Sequence, residues 1–155
     1  MQVNIKILTS IILFLLIILF IKDIFYSGQD RQWDLKVYYY SALANTIGLN
    51  PYDIKQVSQL SSVKYKYVYL PTTLYFFKAF NIFEYNIIKL LYPIFQLLLL
   101  LFLLLLWKNY FLDNNVDLLF YLFCFFAFNS AVLIDFVTGN IAILEQLFLW
   151  SAFYF

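Results

Sequence analysis

The stretch NIIKLLYPIFQLLLLLFLLLLW, residues 86–107, decides the fold. A bilayer's hydrocarbon core is about 30 Å thick and takes roughly 20 apolar residues in helix, which this run supplies. Its Leu-rich part, 97–106, contains no polar residue, and Trp107, Lys108 and Tyr110 follow it as an interfacial belt. Pro93 is expected to kink the helix, which a membrane helix tolerates where neighbours satisfy the freed carbonyl.

Upstream, residues 7–26 are apolar except for Thr9, Ser10, Lys22 and Asp23 near the ends, and read as a first span. Lys22-Asp23-Ile24-Phe25-Tyr26 offers no small-x-small cleavage site, so the reading is an uncleaved anchor rather than a signal peptide. Pro71 suits the first position of a helix and begins an apolar stretch to about Phe83, read as a second span that covers 67–83 with its upstream extension. That span is short, so it must extend upstream through Tyr67-Val68-Tyr69 or be tucked among other helices.

Downstream, 118–137 reads as a fourth span that either crosses once or, after Phe128, turns back along the surface with Asn129, Ser130 and Asp135. A fifth apolar run, 140–155, stops with no polar flank after Phe155, so the chain is expected to be the N-terminal part of a larger protein. No internal repeat or flexible linker divides it, and residues 1–155 read as one membrane domain.

Composition agrees with these spans. The chain is 65% hydrophobic and 12% charged, against about 45–50% and about 25% in soluble domains, and its mean hydropathy is +0.82. The expectation is an all-α, multi-pass helical bundle in the cell membrane, with the lipid bilayer as its surroundings. A net charge of +1 on scattered Lys and Arg gives no footprint for nucleic acid. With no histidine and one cysteine, Cys124, the chain has no disulfide framework, zinc site or His-based triad. Acid or base chemistry falls to carboxylates, Lys or Tyr, and no cofactor or metal is called for.

The polar loop, 27–66, carries the candidates. Residues 34–47 favour helix, Gly48 is a natural stop, and Asn50-Pro51-Tyr52-Asp53 is a turn, so a short helix lying on the membrane is expected. Asp34, Tyr38, Ser41 and Asn45 share one face of that helix and would turn toward something other than lipid. Asp34 reads either as an N-cap, accepting from the free N–H groups of the first turn, or as a carboxylate at the mouth of a membrane cavity that takes a proton from a hydroxyl. Tyr38, Tyr39, Tyr40, Tyr65, Tyr67 and Tyr69 lie where a water–lipid belt would form, and such rings also stack on sugars.

Charge alone places this loop in the cytoplasm, because Arg31, Lys36, Lys55, Lys64 and Lys66 outweigh Lys6 at the N-terminus. Asp30, Asp34 and Asp53 weaken the rule without reversing it.

Taken in order, the pieces resemble glycosyltransferase family 87, within the membrane GT-C class that uses polyprenyl-phosphate sugars. The resemblance rests on Asp34-Leu35-Lys36-Val37-Tyr38, the small residues Ser41-Ala42-Leu43-Ala44, Gly48 and Asn50-Pro51-Tyr52-Asp53. Tyr69-Leu70-Pro71 and Gly139-Asn140 follow in the family's order. Lys78 departs from it, standing where members more often carry Pro.

The resemblance implies a GT-C-like bundle whose first loop is extracytoplasmic and holds a catalytic aspartate, matched by Asp34, with Tyr38, Asn50, Tyr52, Tyr69 and Asn140 at the substrates. It further implies a hexose, most often mannose, on a polyprenyl-phosphate donor, and a glycan or glycolipid hydroxyl as acceptor. Arg31, Lys64 and Lys66 would be partners for the departing phosphate. The rival reading is a non-enzymatic transporter or assembly component that uses Asp135 and Glu145 in its interior.

Overall fold

The computed structural model describes residues 5–25, 31–111 and 130–154. Every regular element among them is helical: α1 (Ile5–Phe25), α2 (Trp33–Thr46), α3 (Ile54–Val57), α4 (Pro71–Lys78) with a 3₁₀ turn (Ala79–Ile82), α5 (Tyr85–Tyr110), α6 (Ser130–Thr138) and α7 (Ala142–Tyr154). The all-α expectation holds in that form.

α5 is the one helix among the described residues that is long and apolar enough to cross a membrane. Its 26 residues reach roughly 39 Å at 1.5 Å per residue. Pro93 sits inside it and is buried. α1 carries a shorter apolar stretch, Ile7–Lys22. Of the fourth expected span, 118–129 lies outside the described residues, as do Asp117 and Cys124, and α6 covers the remainder.

The second span takes another form. Leu70 is extended (φ −61°, ψ 150°), as a residue before proline is driven to be, so α4 cannot extend upstream through Tyr67-Val68-Tyr69. The 8 residues of α4 and the 4 of the 3₁₀ turn reach roughly 20 Å, well short of a hydrocarbon core. α4 is instead tucked against α2, with Leu74 and Phe77 buried.

The described residues form two compact units. One contains α1, α5 from Gln96 onward, α6 up to Val137, and α7. Its core is Leu100, Phe136 and Ile143, with Phe20, Leu99, Leu104 and Val132 packed on them. Phe20 meets Phe136 edge to face at 4.9 Å, and Gln96 Nε2 donates to the Asp135 carbonyl at 3.1 Å. Glu145 lies exposed in the first turn of α7.

The other unit spans residues 31–95 together with 138–140, and α2 is its central element. Leu35, Val37, Tyr38, Tyr39, Ser41, Ala42 and Ala44 are all buried, so α2 is packed within its unit on more than one side. Its apolar and small residues fall on all sides, leaving no wide polar face to turn toward water. The helix ends where Gly48 adopts φ +82°. Leu49 N–H then returns to the Ala44 carbonyl at 2.9 Å and Gly48 N–H to that of Asn45 at 3.4 Å, the paired closure that a left-handed glycine permits.

Candidate functional site

Asp34 is the second residue of α2 and is half-buried. The cap position belongs to Gln32, whose side chain makes no capping bond, so the N-cap reading of Asp34 is set aside. A carboxylate in the first turn is still favoured by the partial positive charge of the helix start. Burial pushes the Asp34 carboxyl above the usual carboxylate range, and a hydrogen bond from the Thr138 hydroxyl opposes that rise without cancelling it.

One turn further on, Tyr38 is fully buried. Its ring stacks on Phe77 at 4.5 Å and meets Tyr69 edge to face at 4.9 Å and Tyr67 at 6.4 Å. A buried tyrosine needs a partner for its hydroxyl; this one donates to Asn140 Oδ1 at 3.3 Å and hydrogen-bonds the Tyr69 side chain. Burial, the bond to Tyr69 and the charges of Tyr69 and Asp34 hold the Tyr38 hydroxyl protonated far above its ordinary titration range. Tyr92, also buried, donates to the Asn140 carbonyl at 3.4 Å.

Gly139 makes this convergence possible. It adopts φ +72°, and a Cβ there would lie 2.8 Å from Leu35 Cβ, 3.2 Å from Gln32 Cβ and 3.3 Å from Leu35 N. With only hydrogen at that position, the segment Thr138–Asn140 presses against the first turn of α2. That contact brings the Thr138 hydroxyl to Asp34 and the Asn140 amide to Tyr38.

The structure therefore gathers four of the residues singled out in the sequence: Asp34, Tyr38, Tyr69 and Asn140. Tyr52 stands beside them, its ring 5.4 Å from Tyr67 and its hydroxyl donating to the Tyr69 carbonyl at 3.2 Å. Asn50 is occupied elsewhere. Its Oδ1 accepts from Tyr52 N–H at 3.0 Å and its N–H donates to Gln56 Oε1 at 2.7 Å, the local bonding that favours Asn in turns. Asp53 caps α3 by accepting from Lys55 N–H at 2.9 Å.

Of the tyrosines expected in an interfacial belt, Tyr38, Tyr39 and Tyr67 are buried instead. Tyr39 donates to the Phe83 carbonyl at 2.7 Å, and Tyr67 bonds the Leu70 carbonyl and the Thr73 hydroxyl. Tyr65 alone of the six is more than half exposed, at 55%. Thr138, Tyr92 and Phe77 carried no signal in the sequence. Gly139-Asn140 was singled out by the resemblance, but its position against α2 was not legible.

Among the described residues no group of three His, Cys, Asp or Glu side chains is placed to hold a metal ion. No family model, curated protein or solved structure matches the chain.

Proposed function

We propose that the protein is a multi-pass membrane glycosyltransferase of the GT-C type, moving a hexose, most often mannose, from a polyprenyl-phosphate donor to a hydroxyl of an envelope glycan or glycolipid. One observation carries this reading. The half-buried Asp34 carboxyl, raised in pKa by burial, sits with a threonine hydroxyl and beside tyrosine and asparagine side chains suited to a sugar. The apolar composition, the Leu-rich α5 and the resemblance of its motif order to family 87 support it.

In the step proposed, the acceptor oxygen forms a bond to the anomeric carbon while the bond from that carbon to the phosphate oxygen breaks. The phosphate leaves with the bonding electron pair, remaining on the lipid as an anion, and the acceptor's proton passes to Asp34. Attack opposite the leaving group inverts the anomeric centre. A carboxyl of raised pKa is a better proton acceptor near neutral pH than a solvated one. The Thr138 hydroxyl orients it, while Tyr38, buried and held protonated, positions the Asn140 side chain beside it through the Tyr38–Asn140 bond. A donor with a lipid tail brings its head to the membrane surface, which is where the first loop must hold its base.

The test is transfer of labelled mannose from polyprenyl-phosphate-mannose in membranes carrying the protein. Asp34→Ala and Asp34→Asn should lower the rate by about 10²- to 10⁴-fold, the usual contribution of a general base, with membrane insertion intact. Wild-type rates in both variants refute the assignment.

The distribution of Arg31, Lys36, Lys55, Lys64 and Lys66 favours a second reading, a non-enzymatic membrane protein with this loop in the cytoplasm. A cysteine placed at Asn50, with Cys124 replaced, discriminates between them. Reaction with an impermeant thiol reagent in intact cells supports the enzyme, and protection supports the rival.

A further inference from the structure

α4 has two unlike faces. Leu74 and Phe77 are buried against α2, where the Phe77 ring stacks on Tyr38. On the other side Tyr75 is 70% exposed and Ile82, which ends the 3₁₀ turn, is 80% exposed. Tyr75, Lys78, Ala79 and Ile82 follow i, i+3, i+4, i+7 spacing, and all four are exposed, so they share the outer face. A helix face turned to water is ordinarily polar. This one is mostly apolar, and exposed apolar patches mark interaction sites.

Three observations select a lipid leaflet as what covers it. The patch continues along the chain through Phe83 into Ile87, Leu90, Leu91 and Ile94, exposed residues in the first half of α5, the helix with the length and apolarity of a span. In the middle of the face stands Lys78. Charged residues are depleted at the core of a protein interface, where an ammonium loses its water, whereas at a leaflet its stem lies along apolar surface and its head reaches the lipid phosphates. Finally, α4 and the 3₁₀ turn are too short to cross, and the chain after them comes back to α2. The Tyr39 hydroxyl donates to the Phe83 carbonyl at 2.7 Å, and the Tyr39 and Tyr40 rings each lie 5.4 Å from that of Tyr85.

We propose that the outer face of α4 and its 3₁₀ turn is seated in one leaflet of the membrane, with lipid phosphates at Lys78, and that α4 enters the leaflet without crossing it. Residues 31–84 then all stay on one side. Tyr38, stacked on the inner face of α4, is held one helix diameter, roughly 10 Å, from the lipid, which sets the depth of the candidate site. The inference goes beyond the glycosyltransferase reading and holds equally for a non-enzymatic protein.

Single cysteines at exposed positions of the full chain, with Cys124 replaced by serine, test the seat without disturbing the core. Lys55→Cys, Tyr75→Cys and Ile82→Cys are labelled with a fluorophore in nanodiscs of phosphatidylcholine and phosphatidylglycerol. Labels at Tyr75 and Ile82 should be quenched by a nitroxide near the head of the acyl chain, more weakly by one near its end, and several-fold less by aqueous iodide than the label at Lys55. That pattern is expected for side chains about 5–10 Å inside the headgroup boundary. Iodide reaching Ile82 as freely as Lys55 means the face meets water. Quenching by neither agent means that protein, such as a second copy of the chain, covers it. Stronger quenching from the chain end means deep insertion. Each of these three results overturns the proposal.

Topology gives an independent check. In intact cells Lys55→Cys and Glu84→Cys should respond alike to an impermeant thiol reagent, both reacting or both protected. Reaction of only one, with both reacting once the cells are permeabilised, shows that α4 crosses and overturns the proposal. Neither measurement depends on sugar transfer, so the catalytic reading of Asp34 and the seating of α4 stand or fall separately.

Discussion

The Tyr38 hydroxyl donates to Asn140 Oδ1 at 3.3 Å across 102 residues of sequence. This bond, with the one from Thr138 to Asp34, ties the Gly139 turn to the start of α2 and gives the candidate site its walls. The same ring lies stacked on Phe77, so packing and polar bonding at Tyr38 can be separated by substitution.

Tyr38→Phe keeps the stack and loses the hydroxyl, and should cost about 1 kcal/mol. Tyr38→Ala empties a fully enclosed site and should cost about 3–5 kcal/mol, as large aromatic truncations do. Thermal unfolding of the two variants in the same detergent checks the ratio.

Gly139→Ala places a Cβ 2.8 Å from Leu35 Cβ at a positive φ. Left-handed backbone costs a non-glycine roughly 1–2 kcal/mol, and overpacking adds about 1–3 kcal/mol. Gly48→Ala shares the positive φ but meets nothing within 4 Å, so it should lose only the backbone part. A drop in thermal midpoint at least as large in Gly48→Ala as in Gly139→Ala contradicts the close contact described at Gly139.

The raised pKa of Asp34 has a defined sign in stability. Because the folded state holds the proton more tightly than the unfolded one, the contribution is fully present below the unfolded value and is lost as pH rises through the folded value. Asp34→Asn has no such loss, so it should be more stable than the wild type at neutral pH, with the gap closing in acid. Thermal midpoints across a pH series measure this.

Activity runs the other way. The base must be ionised, so sugar transfer should rise with pH through the raised Asp34 value, with its acid limb above the usual carboxylate range. Thr138→Val removes the bond that opposes the rise and should move that limb further upward; a pH–rate profile of the two proteins gives the comparison.

Asn50→Ala removes the acceptor for Tyr52 N–H and should destabilise the turn by about 1 kcal/mol. With its side chain committed to the turn, the sugar-transfer rate per folded molecule should stay at the wild-type level. A rate loss beyond the folding loss would return Asn50 to the site.

The sequence alone determined those features that depend on neighbours along the chain. Uninterrupted apolar residues specify α5, Gly48 stops α2, and Pro71 starts α4, because helix length and helix ends follow from local sterics and from where polar groups occur. Asp34 also stood out, as a carboxylate in the polar loop 27–66.

Only the tertiary structure decided what these features meet. Tyrosine suits both a water–lipid boundary and a buried cluster, since it has an apolar ring and one polar atom, so its sequence position could not tell belt from core. The site depends on segments about a hundred residues apart coming within hydrogen-bond distance. No local rule encodes that approach; it follows from packing the Gly139 turn, bare of a side chain, onto the first turn of α2.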